Sequence, residues 1–299
     1  MVRFFKIILF FLGTLALLFA IGATWVHFAS RARLDRSYSV TPRPVALASD
    51  PAALARGQHL AQTRGCNECH GKDFAGNKVI EDGAMGRVHG SNLTRGTGGR
   101  VATWTDTDWV RAIRHGVAPD GRALFLMPAD EYQFLSDDDL GALIAYLKSV
   151  PAVDRENVRI ELGPVARVLV ALGKIKLAAS IIDHPNVKPV AVASGVTPEY
   201  GRYVAATCMG CHGPNFSGGK IEVGPPNWPE ASNLTSHASG NVAKWTEGDF
   251  LQAMRAGKRP DGTEINPIMP RVFGQMDDTE LKAIWAYLRT VPAVPKGAR

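Results

Sequence analysis

The sequence predicts an all-α protein, with two tandem copies of one small helical domain behind an N-terminal transmembrane helix. Three observations carry that prediction. An uncharged run of 20 residues, Ile7 to Val26, lies near the start of the chain. A set of short segments recurs at a fixed spacing of 141 or 142 residues. Apolar residues within each copy recur at helical spacing, and no run alternates long enough for a sheet.

The N-terminal run comes first. At about 1.5 Å per residue it makes a helix of roughly 30 Å, the thickness of a bilayer core. Arg3 and Lys6 precede it, and Trp25 stands near its far end, where an interfacial ring belongs. The competing reading is a cleaved signal peptide, with Ala20-Ile21-Gly22 as a poor cleavage site and a run longer than the usual signal core. Either reading exports the rest of the chain. Residues 1–28 are therefore assigned as an anchor or signal, and residues 29–52, with Pro42, Pro44 and Pro51, as a tether.

The formal net charge of +6 is uneven. Residues 1–52 carry +4, 53–153 carry −1, 154–195 carry +2 and 196–299 carry +1. The two domain-sized blocks are near neutral, which excludes a nucleic-acid partner, because a phosphate backbone needs a basic stripe. The four cysteines fall into two short clusters, so the chain is not built on a disulfide framework.

The repeats divide the remainder. Asn92-Leu93-Thr94 recurs as Asn233-Leu234-Thr235, Trp104-Thr105 as Trp245-Thr246, and Pro119-Asp120-Gly121 as Pro260-Asp261-Gly262. Ala145-Tyr146-Leu147 recurs as Ala286-Tyr287-Leu288, and Val150-Pro151-Ala152-Val153 as Val291-Pro292-Ala293-Val294. A period this long, present twice, means two domains, 53–153 and 196–299. In each copy a short helix starts near Gly57 or Gly201. A second helix follows Thr105 or Thr246. A last helix is capped by Ser136, ahead of Asp137, Asp138 and Asp139, or by Asp277 with Glu280 three residues on. In the connector, 154–195, Val165, Val168, Leu169 and Leu172 share one helical face. That helix is expected to pack the two domains together, or else to lie on a membrane surface. Lys174 and Lys176 argue against a second span.

The chemistry lies in Cys66-Asn67-Glu68-Cys69-His70 and Cys208-Met209-Gly210-Cys211-His212. This is C-x-x-C-H, the c-type haem attachment signal. Two thiols about one helical turn apart reach the two vinyl groups of a haem, and the adjacent histidine supplies a proximal imidazole. A zinc site wants four ligands and a thioredoxin-type pair wants a strand–helix context; neither is met in a single repeat. Met127 follows His70 by 57 residues, and Met269 follows His212 by 57; both precede a proline, Pro128 and Pro270. Met85, Met209, Met254 and Met276 have no methionine at the matching place, and His89, His115 and His237 have no matching histidine. Met127 and Met269 are thus the candidate sixth ligands, giving the His/Met pair of electron-carrying haems. Asn92 and Asn233, with Thr94 and Thr235, are expected to make backbone or propionate hydrogen bonds, and Trp104 and Trp245 to be core rings.

Each copy resembles a class I cytochrome c domain. Ser91-Asn92-Leu93-Thr94, Trp104-Thr105, Arg114-His115-Gly116-Val117 and Pro119-Asp120-Gly121 narrow the resemblance. They are similar to the haem-bearing cytochrome c subunits of bacterial periplasmic alcohol- and aldehyde-type dehydrogenases, which often carry three haem motifs where this chain carries two. The resemblance implies two covalently bound haem c groups on Cys66, Cys69, Cys208 and Cys211, with iron held by His70, Met127, His212 and Met269. It implies a single-pass protein of the bacterial inner membrane with its haem domains in the periplasm, an electron carrier of a respiratory chain and not an enzyme by itself. A periplasmic or membrane dehydrogenase would be the donor, and an oxidase or small soluble cytochrome the acceptor. The alternative is a dihaem cytochrome c peroxidase, which needs a haem with a releasable sixth position.

Overall fold

The computed structural model describes residues 2–221 and 227–298. Residues 222–226 of the second copy, Met1 of the anchor and Arg299 lie outside the described residues. Helix α1 (Val2–Leu34) is exposed along its apolar length, with a mean hydropathy of 2.5 in its most apolar window. It is long and apolar enough to cross a membrane, and it continues six residues past the expected boundary at residue 28.

The first copy then builds α2 (Pro51–Thr63), α3 (Cys66–His70), α4 (Asp106–His115), α5 (Ala129–Tyr132) and α6 (Asp137–Ser149). The connector holds α7 (Pro164–Ala171), and the second copy builds α8 (Pro198–Ala205), α9 (Met209–His212), α10 (Glu247–Ala256) and α11 (Asp278–Leu288). The caps follow local chemistry. Asp50 accepts from the backbone N–H of Ala52 and Ala53, and Pro51 opens α2, where a missing N–H costs nothing. Thr105 with Asp108, Thr246 with Asp249, and Asp277 with Glu280 form reciprocal capping boxes. Ser136 accepts from the Asp139 N–H at 3.0 Å. Gly116 and Gly257 end α4 and α10 with φ of 66°, a left-handed turn that glycine adopts without strain.

Each copy packs its first helix on its last. Gly57 of α2 faces the Ala142 carbonyl of α6, and Gly201 of α8 faces the Ala283 carbonyl of α11; a Cβ at either glycine would run into that oxygen. The two helix pairs share one apolar interior, in which Leu60, Leu140 and Ile144 of the first copy join Val204, Leu281 and Leu288 of the second. Polar groups cross the boundary reciprocally. His59, two residues after Gly57, bonds Glu280 of α11 through Nε2 at 2.6 Å. Tyr203, two residues after Gly201, donates its hydroxyl to Asp139 of α6 at 2.6 Å. Asp139 and Glu280 hold the same position, third after the cap, in their helices.

Three expectations are corrected here. A small sheet exists: β1 (Lys78–Asp82) and β2 (Gly86–His89) form a hairpin, and β3 (Glu161–Leu162) pairs with β2. Among the described residues the fold is therefore helical with one short sheet. These strands escaped the sequence because β1 is exposed on both faces and carries no alternation. The tether does not hang free. The Tyr38 N–H donates to the Gly121 carbonyl at 2.8 Å, Arg111 Nε donates to the Val40 carbonyl at 3.1 Å, and Val45 is buried in the core. Among the described residues helix α7 packs chiefly against α1 rather than between the two domains. Its buried residues are Ala166, Val170 and Ala171, whose small side chains permit close approach, while Val165, Val168 and Leu172 face outward.

Candidate haem sites

The first motif folds as the single turn α3, entered through Gly65 at φ 75°. The second spans a 3₁₀ turn, Ala206–Cys208, and α9. Each turn brings its two cysteines and its histidine together, and no disulfide joins any of the cysteines among the described residues. Both histidines are oriented alike: Nδ1 of His70 donates to the Ser91 carbonyl at 2.8 Å, and Nδ1 of His212 to the Ser232 carbonyl at 2.8 Å. A neutral imidazole that donates from Nδ1 carries its lone pair on Nε2, the atom suited to a metal. Burial pulls His70 below the ordinary histidine pKa and so keeps it in that neutral form.

The thiols of Cys66, Cys69 and Cys208 are held neutral as well. Burial, then the neighbouring Cys69, push Cys66 up to about 12, and burial does the same for Cys208. Burial also raises Cys69. A neutral thiol converted to a neutral thioether leaves no charge in the apolar interior, so this donor set fits a covalently held haem and disfavours a thiolate–zinc site.

Met127 stands half-buried between the exposed Leu126 and helix α5, and it packs against the same interior as Cys66. Met269 is half-buried just ahead of a 3₁₀ turn, Arg271–Gln275, outside the shared core. The two Asn-Leu-Thr segments serve the backbone. Asn92 donates Nδ2 to the carbonyls of Val153 and Arg155 at 2.9 and 3.0 Å and accepts the Thr94 N–H. Asn233 donates to the Val294 carbonyl at 2.8 Å and accepts the Thr235 N–H. Each Asn therefore pins the Val-Pro-Ala-Val end of its copy beside the motif histidine's carbonyl partner. Trp104 and Trp245 pack against the core as half-buried rings.

Four residues escaped the sequence reading. Phe74 and Phe216 lie four residues after the motif histidines, both buried, both at positive φ (56° and 60°) and both edge-on to a last-helix tyrosine, Tyr146 or Tyr287. Their matched spacing was a visible signal. Arg64 and Glu131 had none. Arg64 is buried, donates Nη1 to the Val204 carbonyl of the other copy at 2.8 Å, and lies near enough to both Cys66 and Cys208 to pull each thiol's pKa down. Glu131 of α5 reaches Gly210, inside the second motif; burial, then Asp130, lift its carboxyl to about 8. The post-methionine helix of copy one thus touches the haem motif of copy two.

Comparison with known proteins agrees with this geometry. Residues 52–147 match the family "Cytochrome C oxidase, cbb3-type, subunit III", and residues 199–292 match the family "Cytochrome c". The chain carries two cytochrome c domains. They bind two covalently attached haem c groups. The fructose dehydrogenase cytochrome subunit of Gluconobacter japonicus is 28% identical over 84% of this chain and 55% of its own length. The cytochrome c subunit of a quinone alcohol dehydrogenase from Gluconobacter oxydans is 27% identical over 83% of this chain and 57% of its own length. A "Diheme cytochrome c-type" protein of Cereibacter sphaeroides is 26% identical over 91% of this chain and 97% of its own length. The chain spans 55 to 62% of the length of the dehydrogenase subunits it matches first. These relatives are cytochromes or cytochrome subunits by name and lend no support to the peroxidase alternative.

Proposed function

We propose that this chain is a membrane-anchored dihaem electron carrier, with α1 as a single inner-membrane span and both haem domains in the periplasm. It takes electrons from a dehydrogenase and gives them to an oxidase or a smaller cytochrome. Cys66 and Cys69 hold one haem covalently, and Cys208 and Cys211 the other. His70 and Met127 are the axial ligands in domain 53–153, and His212 and Met269 those in domain 196–299. A haem so ligated supplies one-electron exchange between ferric and ferrous iron.

The observation that carries the reading is the duplicated donor set: two cysteines and a histidine with Nδ1 tied to a carbonyl, built twice by one fold. The chain's own part is to hold and to exclude. Ser91 and Ser232 fix the imidazole planes through their carbonyls. Phe74 and Phe216, wedged against Tyr146 and Tyr287, close each motif's apolar side to water. The names of the dehydrogenase subunits support a dehydrogenase as donor.

The test is to solubilise native membranes gently, capture this protein and identify its companions by mass spectrometry. A stoichiometric dehydrogenase makes the chain the electron-exit subunit of that enzyme and names the substrate class. Capture of a reducible haem protein alone makes it a carrier with transient partners. Recovery of the protein without covalent haem sinks the reading.

A further inference from the structure

Helix α7 has two faces, and the structure accounts for only one of them. Ala166, Val170 and Ala171 are buried, and the helix packs against α1. Val165, Val168 and Leu172 are exposed at 45%, 38% and 55%. Three aliphatic side chains on one face of a short helix, turned to water, call for a partner.

The position of α7 on α1 identifies that partner. The charge-free run of α1 ends at Val26. Beyond it, Ser30 is fully buried and Ala29 and Leu34 are half-buried, while Phe28 stays exposed. Gly173, just past α7, lies beside the Arg33 guanidinium: a Cβ there would stand only 3.3 Å from Nη1. The α7 contact therefore falls on the last two turns of α1, immediately after the span. Eight residues of helix rise about 12 Å, and a headgroup layer is roughly 5–8 Å deep on each side of the hydrocarbon. An apolar face at that level meets the boundary between acyl chains and headgroups. The charges beside it are cationic: Arg33, Lys174 and Lys176 are all exposed. That is the pattern of an interfacial helix on anionic lipid, with apolar side chains dipping in and lysines at the phosphates.

We propose that α7 is a second membrane contact: its Val165, Val168 and Leu172 face inserts into the outer edge of the leaflet from which α1 emerges, with anionic lipid headgroups against Arg33, Lys174 and Lys176. The proposal rests on α1 being a membrane span. It changes the picture of the protein, because the segment after α1 is docked on the first haem domain, through Tyr38 and Val40, and α7 is tied to that domain through β3. With both ends seated, the haem pair rides at a fixed height and tilt over the bilayer instead of swinging on a leash.

The test uses the full-length haem-loaded protein in liposomes containing phosphatidylglycerol. The native cysteines are consumed by thioethers, so Leu172→Cys, Leu12→Cys and Glu199→Cys each offer one reactive thiol for a nitroxide. Relative collision with oxygen, which concentrates in lipid, and with a water-soluble nickel chelate reports depth. The expected result is a deep signal at position 12, a shallow but oxygen-favouring signal at 172, and a nickel-favouring signal at 199. Replacing phosphatidylglycerol by phosphatidylcholine should move position 172 toward nickel and leave position 12 unchanged. A deep signal at 12 with a fully aqueous signal at 172 overturns the proposal and leaves the anchor standing. Shielding of 172 from both reagents means that protein covers the face, a second copy or a partner, and also overturns it. An aqueous signal at 12 removes the anchor and the proposal together.

Discussion

Glu280 offers the sharpest perturbation of the interface between the two domains. Its side chain is 1% exposed, yet it is ionised. Burial pushes the carboxyl up, but the His59 hydrogen bond and the charges of His59, Arg56 and Arg64 outweigh it and bring the carboxyl from 4.5 to about 2. Oε2 takes His59 Nε2 at 2.6 Å and Oε1 takes Arg56 Nη1 at 3.1 Å, both from the other copy. Glu280→Gln keeps the shape and, with its oxygen toward His59, the capping-box acceptor for the Asp277 N–H; it removes the charge and the acceptor that faces Arg56. A shift of this size corresponds to about 3 kcal/mol of stability at neutral pH, in the range of about 3–5 kcal/mol found when one member of a buried pair is removed. The sign is set by the depressed pKa. The unfolded carboxyl binds its proton near 4.5 and the folded one only near 2, so the advantage is complete above 4.5 and lost as pH falls toward 2. By pH 3 it should have dropped to about 1.4 kcal/mol. Guanidinium unfolding of the haem-loaded protein, followed by Soret absorbance and circular dichroism, measures the difference between parent and variant at pH 7 and pH 3. An equal loss at both values would refute the electrostatic account and assign the effect to packing, and a loss below about 1 kcal/mol at pH 7 would refute the lock itself.

The remaining predictions concern the haem sites and acid stability. Met127→Ala and Met269→Ala should each alter the spectrum and potential of one haem only, and open that haem to carbon monoxide, which the reduced parent should bind poorly at both; a variant with two unchanged haems removes that ligand assignment. Arg64→Leu should lower both haem potentials, because Arg64 lies near the cysteines of both motifs and losing a buried cation favours the ferric state. A unit charge about 10 Å away at an effective dielectric of about 20 is worth about 1.7 kcal/mol, or about 70 mV for one electron, and a redox titration in which only one wave moves would contradict the shared placement. Burial, then His184, Arg114 and Arg111, hold His115 at about 4, so the folded protein resists its protonation and stability declines as pH falls from 6.5 toward 4. His115→Asn should flatten that decline, by up to about 3 kcal/mol, and an unaltered slope in the same unfolding series would show that the histidine does not set it.

What the sequence made legible was whatever short-range chemistry determines. A cap and its third residue meet within one turn, so Thr105–Asp108, Thr246–Asp249 and Asp277–Glu280 were readable as helix starts. The motif cysteines and histidines were readable because their spacing is the chemistry. The turn role of Asn92 and Asn233 followed from their recurrence, and both amides do bond backbone, although their carbonyl partners 61 residues away were not foreseeable. What stayed hidden acts over long separations or without periodicity. His59 and Glu280 are 221 residues apart, and Arg56 and Tyr200 are 144 apart. Nothing local marks Arg64 as the residue between two motifs. The hairpin at 78–89 hid because β1 is exposed on both faces and β2 buries only Val88, and α7 hid its buried face because Ala166, Val170 and Ala171, not its aliphatic stripe, make it.

The reciprocal contacts bear on why two domains share one interior. Two haem domains on a flexible linker would sample many separations, and exchange between them would follow that motion. Here each first helix carries a polar group into the other copy's last helix, and the core is continuous across the pair. Opening the pair would break the Glu280 and Arg64 hydrogen bonds across the boundary and expose the continuous apolar core to water, and the apolar exposure is what opposes it. The separation of the two motifs is therefore a property of the fold. Their surroundings are not equal: the first contains Met127 packed on the shared core, the second has Glu131 of its neighbour against Gly210 and a methionine outside that core. Unequal surroundings should give the two haems different potentials, seen as two separate waves in a redox titration; one shared wave would show that charge and burial around the motifs do not distinguish them.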